Sequence, residues 1–345
     1  MLKLLKELCL ASGISGYEDE IRKIIADKCR PYADEMKVDN MGNLFVYKKG
    51  AKKSRKKLMI AAHMDEVGFI VNAIEEEGYL RFETVGGIDP KVVLGRKVLV
   101  GDAKVPGVIG LKAYHLVSAA EEKVVPKIYD MYIDIGAPDK DSAEKLVKIG
   151  DPIVFDSDFV RFGKGNNKVK VKAMDDRLGC AMMVKLIESD LPMDIHFVFT
   201  VQEEVGLRGA EVAAFALEPD IALVLEGTTS ADIPGVEDSK KISVIGKGPV
   251  IGCVDRGTIY DQGLFDALKG LADGAAIPWQ IKNVIAGGTD AASIQRSREG
   301  VRVANISTPV RYLHSASTVA DTGDIEKAFK LVKLFIDALA AGKVK

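Results

Sequence analysis

The chain has 345 residues, more than the roughly 250–300 at which one hydrophobic core usually stops growing, so we expect two domains. Its 48 basic and 50 acidic residues leave a formal net charge of −2. This balance provides no basic surface for nucleic acid or an anionic membrane, so small molecules or other proteins are the expected partners.

The first ten residues, MLKLLKELCL, predict the start of an amphipathic helix. Lys3, Lys6 and Glu7 interrupt the apolar region that a signal peptide needs. No segment reaches the ~20 consecutive apolar residues of a membrane span. The four cysteines are scattered without a C-x-x-C pair, which excludes a zinc-finger site and suits a reducing compartment. We therefore expect a cytoplasmic protein that does not cross a membrane.

Apolar periodicity predicts an α/β pattern that is interrupted once. Helical spacing predicts helices over Leu2–Cys9 and Glu18–Lys28, and the apolar run Leu58–Ala62 predicts a buried strand. From Phe69 to Phe162 short alternating segments are punctuated by Gly and Pro, which is typical of a small β-rich domain. Longer elements then return, as predicted helices over Arg177–Ser189, Gly209–Leu217 and Ile325–Ala341 and predicted strands over Asp194–Val201 and Ile221–Leu225.

The pattern after the interruption resumes the pattern before it. An inserted domain explains this better than two consecutive domains. We expect an α/β domain formed by residues 1–68 and 163–345, with a β-rich domain at residues 69–162 inserted into it.

Reactive side chains follow the predicted strands. Ligands of open α/β sheets bind beyond the carboxyl ends of the strands, so residues directly after apolar runs are the candidates. Five places qualify: His63-Met64-Asp65, Gln202-Glu203-Glu204, Glu226, Asp175-Asp176 before the predicted helix, and His314. Taken singly, His63 could be a structural histidine, Asp175-Asp176 a helix cap and Glu203-Glu204 a solvated turn. Their coincidence at strand ends favours one shared site.

Two histidines with several carboxylates would suit Zn²⁺, Co²⁺ or Mn²⁺ better than Ca²⁺, which prefers oxygen ligands alone. A two-metal site needs a bridging carboxylate, and hydrolysis also needs an unligated carboxylate that accepts a proton from water. Glu203-Glu204 could supply one ligand and one base. The residues alone do not decide between one metal and two, or which glutamate is the base.

Five ordered motifs carry a family resemblance. They are AHMDEVGF at 62–69, MDDR at 174–177, QEEVG at 202–206, GGTDA at 287–291 and RYLHS at 311–315. Together they resemble the tetrahedral (TET-type) metallo-aminopeptidases, which include glutamyl and deblocking aminopeptidases, and some members of that family carry endoglucanase labels. The resemblance implies a zinc-exopeptidase-like fold, with a central mixed sheet covered by helices on both faces. It also implies that residues 69–162 form a PDZ-like oligomerisation domain.

The resemblance implies a role for each matching residue. Asp175 would bridge two divalent metal ions, zinc or cobalt with manganese as an alternative, and a cis peptide would join it to Asp176. His63 and Glu226 would complete one site, and Glu204 and His314 the other, with Glu203 as the general base and Asp65 orienting the His63 ring. Many relatives have Asp where this chain has Glu226, so Asp232 stays open as an alternative ligand.

The loop containing Gly288, Thr289 and Asp290 resembles the family's substrate-binding loop, although a plain turn is the alternative. His196 and His115 are expected to pack or form hydrogen bonds instead of binding metal. The expected function is removal of N-terminal residues from short peptides, by subunits that form dimers and then a dodecamer. A glycoside hydrolase of endoglucanase type and a non-catalytic shell-forming protein are the alternatives.

Overall fold

The computed structural model describes residues 1–53 and 56–344. The helices in this part of the chain are α1 Leu2–Leu10, α2 Asp19–Cys29, α3 Lys140–Glu144, α4 Met174–Ile187, α5 Arg208–Leu217, α6 Gln262–Gly274, α7 Ala291–Gln295 and α8 Thr322–Ala340. None of them is long and apolar enough to cross a bilayer.

The first nine strands are β1 Glu35–Val38, β2 Leu44–Lys48, β3 Leu58–His63, β4 Gly68–Ile74, β5 Leu80–Val85, β6 Lys97–Val100, β7 Val105–Gly110, β8 Tyr132–Asp134 and β9 Pro152–Phe155. The others are β10 Val160–Phe162, β11 Lys168–Val171, β12 Ile195–Thr200, β13 Ile221–Thr229, β14 Val250–Ile251, β15 Arg302–Arg311 and β16 Thr318–Asp321.

A large mixed sheet forms the main layer. Its strand order is β1-β2-β12-β3-β13-β15-β16-β11-β10, and β14 pairs with β15. The central strands β12, β3, β13 and β15 run parallel, whereas the flanking pairs β2 with β12 and β15 with β16 are antiparallel. The parallel centre brings the carboxyl ends of four strands to one edge of the sheet.

Helices cover both faces of this sheet, which confirms the expected α/β class. On β3, Leu58, Ile60 and Ala62 pack into the core shared with α1, α2, α4 and α8, whereas Met59 and Ala61 pack into the core shared with α5 and α7. Successive strand residues point to opposite faces, so a strand between two helical layers is apolar along its whole length. This explains why the run Leu58–Ala62 shows no polar alternation.

Strands β4-β5-β8-β7-β6-β9 close into a separate antiparallel barrel. Its core contains Phe69 packed edge-on against Phe82 and Phe155, with ring centroids 5.1 and 5.2 Å apart. The barrel strands therefore run from Gly68 to Phe155. Strand β10, at 160–162, pairs with β11 at the edge of the large sheet. The functional division of the chain into a catalytic and an oligomerisation domain stays a prediction.

Candidate active site

The carboxyl ends of neighbouring parallel strands bring the predicted residues together. Strand β12 pairs with β3 so that Thr200 lies opposite His63, and β3 also pairs with β13, which carries Glu226. Glu203 and Glu204 follow β12 directly, and Asp175 lies at the start of α4. His314 follows β15 three residues after Arg311. The sheet thus collects all five predicted metal ligands and Glu203 at one edge.

Asp175 lies between the two histidines. Its Oδ1 is 3.5 Å from Nε2 of His63, and its Oδ2 is 3.8 Å from Nε2 of His314. Glu226 Oε2 is 3.6 Å from Nε2 of His63, and Glu204 Oε1 is 3.2 Å from Nε2 of His314. The geometry forms two half-sites that share one carboxylate.

Both imidazole rings are oriented by main-chain carbonyls. Nδ1 of His63 donates to the carbonyl oxygen of Asp65 at 3.1 Å, and Nδ1 of His314 donates to that of Gly87 at 2.7 Å. A proton fixed on Nδ1 leaves the Nε2 lone pair available to bind a cation. Gly87 belongs to the loop that follows barrel strand β5, so the barrel orients one histidine of the site.

The backbone around the site has several uncommon features. The Asp175-Asp176 peptide bond is cis, as the resemblance implied. Gln202 and His314 have φ angles of 56° and 57°. Residues other than glycine rarely adopt this left-handed backbone conformation, and those that do often lie at functional sites. Gly227 follows Glu226, and a Cβ there would lie 3.1 Å from Oδ1 of Asp175. Glycine therefore lets Asp175 approach β13 closely.

The carboxylates of the site have strongly perturbed pKa values. Burial raises the pKa of Glu203 well above its ordinary value, and the neighbouring charges of Glu204 and Asp290 raise it further, whereas His63 acts to lower it. Burial likewise raises the pKa of Glu226. Asp175 is the exception: burial acts to raise its pKa, but the adjacent imidazole rings of His314 and His63 lower the pKa overall. Such opposed shifts among adjacent carboxyl groups are typical of catalytic sites.

Two buried carboxylates hold the turn that carries Glu203 and Glu204. Asp65 Oδ1 accepts the N–H of Glu203 at 3.0 Å, and its Oδ2 accepts the N–H of Glu204 at 3.1 Å and the hydroxyl of Ser15 at 2.6 Å. Glu18 Oε1 accepts the N–H of Gln202 at 3.2 Å. Asp65 thus contacts the Glu203-Glu204 turn as well as His63. Glu18 is not predicted as a site residue from the sequence, where it stands only at the start of a predicted helix.

A cavity of ≈ 370 Å³ opens in front of these groups. Its walls include Gly288 and Thr289 of the predicted substrate loop and one ammonium group, that of Lys282. Thr289 is buried, and its Oγ1 lies 3.1 Å from the hydroxyl of Tyr260. Asp290 is fully buried behind the wall and accepts a hydrogen bond from Thr200 Oγ1 at 2.5 Å. Gly288 and Thr289 therefore face the cavity, whereas Asp290 supports it from behind.

The alternative ligand and the two excluded histidines lie elsewhere. Asp232 accepts hydrogen bonds from Nε and Nη2 of Arg311 at 2.7 and 2.6 Å, so its charge is already neutralised. The ring of His196 packs on Tyr47, with centroids 4.7 Å apart. His115 is exposed in a short turn beyond β7.

The residues present fit divalent metal ions. Oδ1 of Asp175 and Oε1 of Glu226 are buried with no hydrogen-bond partner among the described residues, and buried polar atoms are normally paired. Ligand atoms of His63, Asp175 and Glu204 lie within 4.8 Å of one another, as do those of Asp175, Asp176 and Glu226. Mixed imidazole and carboxylate donors suit Zn²⁺, Co²⁺ and Mn²⁺. Asp176 Oδ1 also accepts the N–H of Gly179 at 2.9 Å, which makes it a helix-capping residue.

Comparison with known proteins gives a consistent result. The family described as M42 glutamyl aminopeptidase matches residues 42–331. A putative aminopeptidase of Acetivibrio thermocellus is 41% identical over 98% of this chain and 98% of its own. The lysyl aminopeptidase of Pyrococcus furiosus is 34% identical over 98% of this chain and 97% of its own.

A solved structure matches the fold at similar identity. The TET1 peptidase of Pyrococcus horikoshii, described as able to assemble into a tetrahedron or a large octahedral shell, aligns with a TM-score of 0.85. It is 36% identical, and the alignment covers 97% of this chain and 98% of that one.

Proposed function

The chain belongs to the M42 aminopeptidase family and is a peptide hydrolase, and on this basis we propose that it is a two-metal aminopeptidase acting on short peptides. The observation that carries the proposal is the sharing of Asp175 between two histidine–glutamate pairs, one on each of its oxygens. A carboxylate shared in this way is what a pair of metal ions requires.

Each half-site would hold one metal ion. His63 and Glu226 would hold the first, His314 and Glu204 would hold the second, and Asp175 would contribute to both. Zinc or cobalt fits this donor set, with manganese as an alternative. When bound, such a pair polarises the peptide carbonyl and makes water more acidic.

Glu203 is the general base of the proposed mechanism. It lines the cavity beside the two half-sites without belonging to either, and its backbone is fixed by Asp65. Its carboxylate takes the proton from the attacking water and delivers it to the leaving amine nitrogen. Burial raises the pKa of Glu203, which makes its carboxylate a stronger base toward the attacking water than an exposed glutamate.

Substrate peptides occupy the ≈ 370 Å³ cavity, with Gly288 and Thr289 along their backbone. Gly288 has open space where a Cβ would lie, which permits close approach of a peptide chain. Asp290 holds the loop through Thr200. One relative is named a lysyl aminopeptidase, whereas the family is described as glutamyl aminopeptidase. Membership of the family therefore does not by itself determine which N-terminal residue the enzyme prefers.

We also propose homo-oligomeric assembly through the barrel, with dimers forming a dodecamer. The tetrahedral assembly described for the P. horikoshii peptidase supports this proposal. Exposed apolar side chains on the barrel segment after β7, among them Tyr114, Leu116 and Tyr129, supply a surface of the kind that subunit contacts bury. We place the enzyme in the cytoplasm because all four cysteines are free.

The test is Glu203→Gln. We expect the variant to keep its metal content while kcat on aminoacyl anilides falls about 10²–10⁴-fold, because the amide cannot accept a proton. Glu211→Gln, on the exposed face of α5, is the matched control and should be fully active. Near-normal turnover by Glu203→Gln would contradict the assignment of the base. Hydrolysis of a glucan by the chelated protein, without peptide hydrolysis, would support the glycosidase alternative instead.

A further inference from the structure

The turn that follows β12 has an uncommon backbone conformation. Gln202 and Leu207 have φ angles of 56° and 59°, and Gly206 has a φ angle of 120°. Residues other than glycine keep such angles only where the surrounding structure holds them. Because this turn carries Glu203 and Glu204, the position of both carboxylates depends on the contacts that the rest of the fold makes with the turn.

Asn43 contacts both ends of this turn. Its Oδ1 accepts the N–H of Val201 at 3.1 Å, and its Nδ2 donates to the carbonyl oxygen of Gly209 at 3.0 Å. The main chain closes the same base, since the N–H of Gly209 donates to the carbonyl oxygen of Val201 at 3.0 Å. Asn43 is fully buried, so water does not compete for these bonds. One carboxamide therefore joins the residue before the turn to a residue after it.

Asp39 fixes the orientation of this carboxamide. Nδ2 of Asn43 also donates to Oδ2 of Asp39 at 2.7 Å. Oδ1 of Asp39 accepts the main-chain N–H groups of Met41, Gly42 and Asn43 at 3.0, 2.9 and 2.9 Å, which folds the segment between β1 and β2 around it. Both N–H groups of the Asn43 side chain thus have acceptors and its oxygen has a donor, so only one orientation satisfies all three partners.

Gly209 has no room for a side chain. A Cβ there would lie 2.4 Å from Oδ1 of Asn43 and 2.3 Å from the carbonyl oxygen of Val201, far shorter than van der Waals contact. Glycine therefore stands where the carboxamide must approach the main chain closely. The same close approach explains how Asn43 reaches both ends of the turn at once.

The contacts on the turn are divided between its start and its base. Asp65 and Glu18 accept N–H groups of residues 202–204, at the start, whereas Asn43 joins the two ends. Proton transfer requires the reacting atoms at hydrogen-bond distance, and a displacement of ~1 Å can lower a rate about 100-fold. A group that closes the base of the turn therefore affects the rate through the position of Glu203.

We propose that Asn43 is a positioning residue for the catalytic base: its carboxamide closes the turn and thereby fixes the carboxylate of Glu203 beside the two half-sites. This inference rests on the proposed aminopeptidase function and adds a residue to its machinery. Asn43 does not line the cavity, and it takes no part in binding substrate or in proton transfer.

The experiment is a double-mutant cycle on kcat at saturating zinc, which keeps both half-sites filled. We expect Asn43→Ala to lower kcat about 10–100-fold and to change KM less than about three-fold, because the base is displaced. In the Glu203→Gln background the same change should lower kcat less than about two-fold, since the carboxylate through which Asn43 acts is already absent. An unchanged kcat, or an equal fold loss in both backgrounds, would overturn the inference.

Two further variants accompany the cycle. Asn305→Ala is the matched control, because Asn305 is also a buried carboxamide bonded to a main-chain carbonyl, that of Val224 at 3.2 Å, and lies on β15, three strands from β12. It should leave kcat within about two-fold of the wild type, and a loss that likewise vanished in Glu203→Gln would contradict a specific role for Asn43. If Asn43→Ala does not fold, Asp39→Ala, at the partly exposed end of the network, replaces it. This variant should also lower kcat only while Glu203 is present, and a loss in both backgrounds would overturn the inference.

Hydrogen exchange separates this inference from the proposed function. Asn43→Ala should speed the exchange of the amides of residues 206–209, which are bonded within the turn, while α8 keeps its wild-type rates. If the wild type hydrolyses no anilide, the aminopeptidase proposal fails, and the exchange rates still test whether Asn43 holds the turn. Wild-type exchange of residues 206–209 in Asn43→Ala would overturn the inference.

Discussion

The large sheet and the barrel differ in what they bury. The described buried residues from Gly68 to Phe155 are apolar or glycine, whereas the α/β layer buries His63, Asp65, Glu66, Lys172 and Arg177 with exposures of 3% or less. Burying a charge is costly unless it is paired, so a fold retains such groups where they position or perform chemistry. This difference indicates that the reactive side chains belong to the α/β layer and not to the barrel. The barrel provides a carbonyl, that of Gly87, to orient His314.

The largest expected effect on stability comes from removing a buried lysine of the α/β layer. Lys172 is buried, and its Nζ contacts Glu66 and the carbonyl oxygen of Ala11. Lys172→Met should lower the free energy of unfolding by about 3 kcal/mol, the lower end of the range for breaking a buried pair, because Arg177 still lies 3.5 Å from Glu66.

Lys112→Met in the barrel is the matched change. Lys112 and Glu121 are about half exposed, so this change should cost about 1 kcal/mol or less. Urea unfolding of the two variants measures both values. Equal losses would show that burial of charge does not distinguish the two regions.

A smaller effect is expected at Asp65, the residue that joins His63 to the Glu203-Glu204 turn. Asp65→Ala leaves two N–H groups and the Ser15 hydroxyl without their acceptor. We expect kcat or metal affinity to fall about 10–100-fold, as for other groups that orient metal ligands. Steady-state kinetics at saturating metal would measure the change in kcat, and metal titration would measure the change in metal affinity. An unchanged kcat and unchanged metal affinity would show that Asp65 has no positioning role.

The smallest effect concerns Glu18 and pH. Burial raises the pKa of Glu18 from 4.5 to about 7, so between these values the folded state binds more protons than the unfolded state. The contribution of Glu18 to stability is therefore fully present below about pH 4.5 and is lost as pH rises through 7.

Glu18→Gln keeps an oxygen acceptor for Gln202 and should remove this pH dependence. Relative to the variant, the wild type should lose on the order of 1 kcal/mol between pH 5 and pH 8. Unfolding at both pH values provides the measurement, and Glu20→Gln, at a partly exposed ion pair, is the control. Parallel pH profiles for the wild type and Glu18→Gln would contradict the assignment.

Local sequence pattern predicted the parts of the site that lie at strand ends. His63, Glu203 and Glu226 follow or end apolar runs, and the parallel sheet places the ends of such runs together. The central α/β sheet with helices on both faces was also predictable, because its strands are continuously apolar. Strand β1 was not predicted, since its residues are mostly exposed and show no apolar alternation. Helix α4 starts at Met174, before the predicted Arg177, and includes the cis Asp175-Asp176 peptide.

The supporting groups could not be predicted from local pattern. Glu18 contacts Gln202 across 184 positions of sequence, and Gly87 contacts His314 across 227. No periodicity relates residues so far apart, and only the assembled fold brings them together. Lys282 likewise follows no strand and matches no motif, so its place on the cavity wall became visible only in three dimensions.

The most direct test of the central claim is the metal content of the protein after saturation with zinc and removal of free ions. Our account predicts two ions per chain in the wild type, and one in His314→Ala, which removes a ligand from the second half-site while leaving His63, Glu226 and Asp175 in place. One ion or none in the wild type, or two retained by His314→Ala, would contradict a pair of metals bridged by Asp175.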